Sequence, residues 1–255
     1  MHGDEGMNSW PHFLENIFLL SYPKAGRTWV RVMLAKLSEI MGGDPKKKEM
    51  IRYKHPKPCF NGEQLRFKVN SKKIILLYRD PRDIVVSNFF QVTLREKQKW
   101  NFKGNISKFI RDEKFGIGDI INFYNIWLKR LQPHPNFMFL KYEDLIKHTP
   151  QEFMRICSFL GISITQPIID KVVAYSSFEN MKKMDLGDKD HLLSNKSALG
   201  GGPKAPYLPY KGVQRQEAMK IRKGVIGGYK EYLNPKDIKY VNRRLLELDK
   251  FFGYV

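Results

Sequence analysis

The segment SYPKAGRTW, residues 21–29, sets Lys24 and Arg27 on either side of Gly26, between an apolar run and an amphipathic stretch. Pro23 and Gly26 shape a tight turn and expose backbone N–H groups where a helix begins near Thr28. Such donors, together with the positive end of the helix dipole, favour a phosphate. The common phosphate loop, G-x-x-x-x-G-K-[ST], carries its lysine last, just before a hydroxyl residue that helps hold magnesium. Here Lys24 leads and Thr28 closes. On its own the segment also reads as an ordinary strand-to-helix turn with surface cations.

Two further segments offer cations for an anionic ligand. Arg79 ends a second apolar run, and Ser87 follows two turns into the next helical pattern. In a parallel order both face the same sheet edge as the first loop. In IRKGVIGGYK, residues 221–230, Arg222 and Lys223 stand beside Gly224, which lets backbone approach an anion closely.

The elements that must position these residues follow from hydrophobic patterning. Three short apolar runs read as buried parallel strands: NIFLLS at 16–21, KKIILLYR at 72–79 and NFMFLKY at 136–142. Each precedes a helical pattern. Val30, Met33, Leu34, Leu37 and Met41 share one helical face, ended by Gly42 and Gly43. In RDPRDIVVSNFF, Asp80 is the expected N-cap, Pro81 the first helical residue and Asp83 an acid in the first turn. TPQEFMRICSFLG, TQPIIDKVVAYSS and IGDIINFYNIWLKRL read as helices, and PKDIKYVNRRLLELDKFFGY as a closing amphipathic one. The expectation is an α/β fold with a central parallel sheet flanked by helices. Ligands of such sheets bind beyond the carboxyl ends of the strands.

No linker or internal repeat divides the chain, so residues 1–255 are read as one domain, with a loose N-terminus at 1–15. The Gly-, Pro- and Ser-rich stretch 187–212 is too long for a plain connection and reads as a mobile or substrate-facing loop. The 45 Lys and Arg against 26 Asp and Glu give a net charge of +19, which suits a nucleotide, a nucleic acid, a membrane surface or an acidic substrate. No run reaches the roughly 18 apolar residues of a membrane span, and the acidic start lacks the pattern of a signal peptide. A soluble, cytoplasmic protein is expected. Cys59 and Cys157 make no disulfide framework and no metal-ligand spacing with the six histidines.

At this point the residues carry a family resemblance. YPKAGRTW resembles the 5′-phosphosulfate loop of the sulfotransferases, whose cytosolic members carry Y-P-K-S-G-T-T-W. YRDPRDIVVS is similar to their 3′-phosphate motif, with the same Arg-to-Ser interval, and RKGVIG to their R-K-G-x-x-G. FLKYEDL and SSFENMK resemble the family's Tyr-Glu-Asp and Ser-Phe-x-x-Met segments, in the expected order. The likeness spans about residues 17 to 233 and implies a transfer of the sulfuryl group of 3′-phosphoadenosine-5′-phosphosulfate (PAPS) to an acceptor hydroxyl or amine, without metal.

By that resemblance Lys24 contacts the 5′-phosphate and the bridging oxygen, stabilising the charge that develops as the sulfuryl group leaves. Ala25, Gly26, Arg27 and Thr28 wrap the 5′-phosphate. Trp29 and Phe178 flank the adenine, with Tyr142 and Ser176 at its edge. Arg79, Ser87, Arg222, Lys223 and Gly224 hold the 3′-phosphate. A general base must take the acceptor's proton, and histidine is matched to neutral pH. His55, in RYKHPKP, stands where the family keeps its catalytic histidine and is the candidate base.

Several positions depart from the cytosolic pattern. Arg27 replaces a small hydroxyl residue, Tyr53 replaces a lysine beside Lys54, and the family's dimer signature is absent. The acceptor, a small molecule, lipid or glycan, would meet loops near 56–70, 91–118 and 185–212. Two other readings stay open: a P-loop kinase, which lacks its Gly-Lys-[Ser/Thr] here, and a basic nucleic-acid-binding protein, the less expected partner class.

Overall fold

The computed structural model describes residues 17–42, 73–95, 97–132, 135–186 and 223–254. Strand β1 (Ile17–Ser21) and strand β2 (Lys73–Tyr78) are built from apolar residues that are buried along almost their whole length. Strand β3 (Phe137–Lys141) alternates buried and half-buried side chains. The three pair in parallel in the order β1-β2-β3, with Leu19 opposite Ile75 and Ile75 opposite Met138. The α/β class and the parallel sheet expected from the three apolar runs are what the chain adopts. Among the described residues β2 is paired on both edges, and β1 and β3 on one each.

Helix α1 (Arg27–Ile40) follows β1 across five residues, and its apolar side, including Val30, Met33, Leu34 and Leu37, is fully buried. Helix α2 (Pro81–Phe90) begins as its start signals predict: Asp80 accepts the Arg82 N–H at 2.9 Å, and Pro81 occupies the first turn. Its last turn runs into a π-helical segment, Gln91–Arg95. Two short helices, α3 (Lys97–Trp100) and α4 (Ile106–Phe109), lead to α5 (Ile117–Leu131). After β3 come α6 (Tyr142–Lys147), α7 (Thr149–Leu160), α8 (Gln166–Tyr175) and α9 (Phe178–Leu186). Helix α7 stops at Gly161, whose φ of 78° is the left-handed cap expected there.

The C-terminal amphipathic segment departs from its expectation of one helix. Helix α10 (Pro235–Leu245) ends early, and a separate 3-10 turn (Lys250–Phe252) is started by Asp249, which accepts the Phe251 N–H at 2.9 Å. The break lets Phe252 enter the core, where it stacks on Tyr124 at 5.0 Å. Helix α1 packs on α8, α2 on α5, and α10 on α5, and each strand is followed by a helix. The segments 1–15 and 187–212 and residues Tyr53, Lys54, His55, Cys59 and Arg222 lie outside the described residues.

Candidate active site

Three strand ends lie side by side, and each delivers one of the expected residues. Past β1 comes the turn carrying Lys24, past β2 comes Arg79, and past β3 comes Tyr142. The β1 turn is rigid for local reasons. The Tyr22 hydroxyl donates to Asp119 at 2.8 Å, and the Ala25 N–H donates to the Tyr22 carbonyl at 3.3 Å. Lys24 has a φ of 73° and Gly26 one of 104°. A left-handed conformation is costly for lysine and tolerated by glycine, and such strain is stored mostly at functional sites. Gly26 also needs its bare Cα: a Cβ there would stand 2.5 Å from the Tyr142 ring.

Gly26 caps α1 without a side-chain hydrogen bond, and the first turn of that helix holds no acid. Arg27 and Thr28 open the helix, so no acid of its own first turn neutralises its positive end. The Lys24 ammonium donates to the Gln91 side-chain carbonyl at 3.3 Å. Ala25 is fully buried and Thr28 half-buried.

Arg79 is buried at 8 % exposure. Its backbone N–H and carbonyl both engage the Tyr124 hydroxyl, at 2.9 and 3.1 Å. One terminal nitrogen donates to Asp83 at 3.4 Å and to the Val225 carbonyl at 3.1 Å. The guanidinium lies 4.3 Å from the Tyr142 ring centroid, a cation–π distance. Among the described residues its Nε is buried without a hydrogen-bond partner. Tyr142 therefore touches both the Gly26 turn and Arg79, joining two anion-binding candidates through one ring. Burial raises the Tyr142 hydroxyl's pKa, so the phenol is neutral at ordinary pH.

Asp83 ties the third candidate to the second. Its carboxylate accepts the Gly227 and Tyr229 N–H groups, both at 2.9 Å, and thereby docks the turn after Gly224 onto α2. Gly224 has a φ of 64°, and a Cβ on it would lie 2.8 Å from the Phe178 ring. Lys223 pairs with Glu231, which raises its pKa, and lies 5.4 Å from the Tyr232 ring. Ser87 stands half-buried one turn past Asp83 on the same face of α2.

On the other flank, the Trp29 indole N–H donates to the Ser176 carbonyl at 2.8 Å, and the ring meets Tyr142 edge-on at 6.2 Å. The Ser176 hydroxyl is turned back to the Val172 carbonyl at 2.9 Å. Phe178, 41 % exposed, covers Gly224. Trp29, Ser176, Phe178 and Gly224 thus form one connected wall. Sequence reasoning missed Tyr124, Asp83 as a loop anchor, Gln91 and Glu143. Glu143 is buried and accepts the Asp80 N–H at 2.9 Å and the Tyr254 hydroxyl at 2.7 Å. The four-residue repeat Arg79, Asp83, Ser87, Gln91 is the signal that could have revealed two of these.

The family model described as "Sulfotransferase domain" matches residues 60–248. The chain belongs to that family. It is similar to the amine sulfotransferase of Oryctolagus cuniculus, at 24 % identity over 93 % of this chain and 82 % of that protein. It is also similar to the 3-beta-hydroxysteroid sulfotransferase of Cavia porcellus, at 26 % identity over 94 % and 85 %. Among solved structures, mouse sulfotransferase SULT7A1 complexed with PAP superposes with a TM-score of 0.66 at 21 % identity, covering 93 % of this chain and 86 % of that one. Retinol dehydratase in a complex with retinol and PAP gives 0.65 at 19 % identity, covering 92 % and 82 %. These two likenesses show the fold. The enzyme class of this sulfotransferase is group transfer. Among its described residues no helix is long and apolar enough to cross a membrane, and no group of three or more His, Cys, Asp or Glu could hold a metal ion.

Proposed function

We propose that this sulfotransferase takes its sulfuryl group from PAPS and moves it in line to a hydroxyl or amine of a small-molecule acceptor. The observation that carries the reading is the row of Lys24, Arg79 and Tyr142 at the carboxyl ends of three adjacent parallel strands. The donor set fits such a ligand. An acid-free helix start at Arg27 suits the 5′-phosphate, and the buried Nε of Arg79 suits a second anionic group. When bound, PAPS supplies a sulfuryl group that already carries its charge on non-bridging oxygens.

In this reading the backbone N–H groups of Ala25, Gly26, Arg27 and Thr28, with the Thr28 hydroxyl, hold the 5′-phosphate. Arg79, Ser87, Arg222, Lys223 and Gly224 hold the 3′-phosphate, which distinguishes this donor from simpler adenine nucleotides. Trp29, Tyr142, Ser176 and Phe178 border the adenine. Lys24 directs its cation at the bridging oxygen, where negative charge grows as the S–O bond breaks. His55 takes the acceptor's proton.

The printed names of the relatives, an amine and a 3-beta-hydroxysteroid sulfotransferase, support an amine or alcohol acceptor. The same reading makes the chain one domain that works in the cytoplasm without metal. A buried, free Cys157 suits a reducing compartment.

The test is turnover of PAPS with a panel of hydroxysteroid, phenol and primary-amine acceptors in EDTA. Sulfated product is expected, with losses on the order of 10²–10⁴-fold in His55→Ala and in Lys24→Ala. Absence of product, together with phosphoryl transfer from magnesium ATP, would replace this reading by the kinase one.

A further inference from the structure

Gln91 stands at the start of the π-helical segment that extends α2, and its side chain accepts a hydrogen bond from the Lys24 ammonium at 3.3 Å. Residues Asp83, Ser87 and Gln91 are four apart and share one face of the helical run. Asp83 engages Arg79 and the turn at Gly227, so this one face runs from the Arg79 cluster to the Lys24 turn. At about 1.5 Å per residue the stretch from Asp83 to Gln91 is about 12 Å long. π-helical turns re-aim side chains and recur at functional sites. Here the turn is bonded internally by Thr93, whose hydroxyl donates to the Phe89 carbonyl at 2.7 Å.

The chemistry of the contact is selective. An ammonium only donates, so the Gln91 carbonyl must face it. A neutral acceptor fixes the direction of Lys24 and leaves its charge intact. A carboxylate at the same place would pair with that charge and weaken its effect on a developing anion. An ammonium has three N–H donors, so a bond to Gln91 is compatible with a simultaneous bond to a leaving-group oxygen. The Lys24 backbone, at φ 73°, fixes the root of the side chain while Gln91 fixes its tip.

We infer that Gln91 is a positioning residue that holds the Lys24 ammonium on the leaving-group oxygen during sulfuryl transfer. This rests on the role given to Lys24 above. The direct test uses PAPS with water as acceptor. The S–O bond to the phosphate oxygen breaks, a bond from sulfur to the water oxygen forms, and the products are PAP, sulfate and protons released to solvent.

Sulfate release is compared for the unaltered protein, Lys24→Ala, Gln91→Leu and Gln91→Glu, with calorimetric PAP affinity and Tm measured in parallel. Both Gln91 variants should lower kcat by roughly 10- to 100-fold, the size of a misplaced catalytic group. KM for PAPS and Kd for PAP should stay within about threefold, because on this account Lys24 acts chiefly in the transition state. The Gln91→Glu loss should shrink only as pH falls below about 4.3, because pairing with Lys24 holds the new carboxyl's pKa under its free value. A kcat of Gln91→Leu equal to the unaltered protein's, beside a damaged Lys24→Ala, overturns the role of Gln91 alone. A silent Lys24→Ala overturns the role of Lys24 and this inference with it. Equal losses of kcat, PAP affinity and Tm in Gln91→Leu would mark it as structural and overturn the inference as well.

Discussion

The Tyr124 hydroxyl accepts the Arg79 N–H at 2.9 Å and donates to the Arg79 carbonyl at 3.1 Å, so one buried phenol brackets the backbone of the arginine at the end of β2. Burial holds the phenol's pKa well above its ordinary value, which keeps it protonated and able to donate. Tyr124→Phe leaves both backbone groups without this partner in a buried place. The expected cost is about 1–3 kcal/mol of stability. Affinity for PAP should fall as well, because the guanidinium loses its fixed root. Urea unfolding and calorimetry of the variant measure the two effects, and unchanged values would show that Tyr124 only fills space.

Asp83 is a small side chain with three obligations: Arg79, the Gly227 N–H and the Tyr229 N–H. Asp83→Ala should release the turn after Gly224 and weaken PAP binding. The two orphaned N–H groups should cost roughly 1–3 kcal/mol each if they stay buried. Limited proteolysis offers a direct check, with new cleavage near residues 223–229 as the expected outcome.

Gly26 and Gly42 separate collision from backbone strain. Both have left-handed φ angles, 104° and 79°, but Gly26 faces a ring at 2.5 Å, while among the described residues nothing lies within 4 Å of a Cβ on Gly42. Each Gly→Ala change carries a conformational cost of about 1–3 kcal/mol. Gly26→Ala should in addition displace Tyr142 and abolish measurable PAP binding. Gly42→Ala should retain it. Equal binding by both variants would contradict the close approach of Gly26 to Tyr142.

Cys157 is fully buried, and burial pushes its thiol up to about 12 from 9.0. Tyr78 is pushed up to about 12 from 10.0, first by burial and then by Asp144. Both groups hold their protons more tightly when the chain is folded than when it is unfolded. Their contribution is therefore whole below the unfolded values and is lost as pH rises toward 12. Unfolding free energy should fall between about pH 9 and 12. In a Cys59→Ser background, Cys157 should resist a disulfide reagent at pH 8 until the protein is denatured. Rapid modification of the native protein would contradict the burial.

The fold was legible because its decisive signals are local. Apolar runs without alternation gave β1 and β2, the Asp80-Pro81 pair gave the start of α2, and Gly161 gave the end of α7. The C-terminal helix was overextended because Asp249 caps a second turn inside an unbroken amphipathic pattern. At the site, Lys24, Gly26, Arg79 and Tyr142 could be picked out from their motifs. Their supports could not, since Tyr124 lies 45 residues from Arg79 and Glu143 lies 63 from Asp80, and hydrophobic periodicity carries no record of such pairings. Gln91 was within reach, because the four-residue repeat Asp83, Ser87, Gln91 places it on the same face of the helical run that continues α2.

On the proposed function the donor site prefers a 3′-phosphorylated adenine nucleotide, with Arg79 at its heart. The most direct measurement is isothermal titration with PAP in the absence of magnesium, with ADP and 5′-AMP for comparison, on the unaltered protein and on Arg79→Ala. Tight binding of PAP, far weaker binding of ADP and 5′-AMP, and loss of that preference in Arg79→Ala are expected. Equal binding of PAP and ADP, or a preference that survives Arg79→Ala, would contradict that expectation.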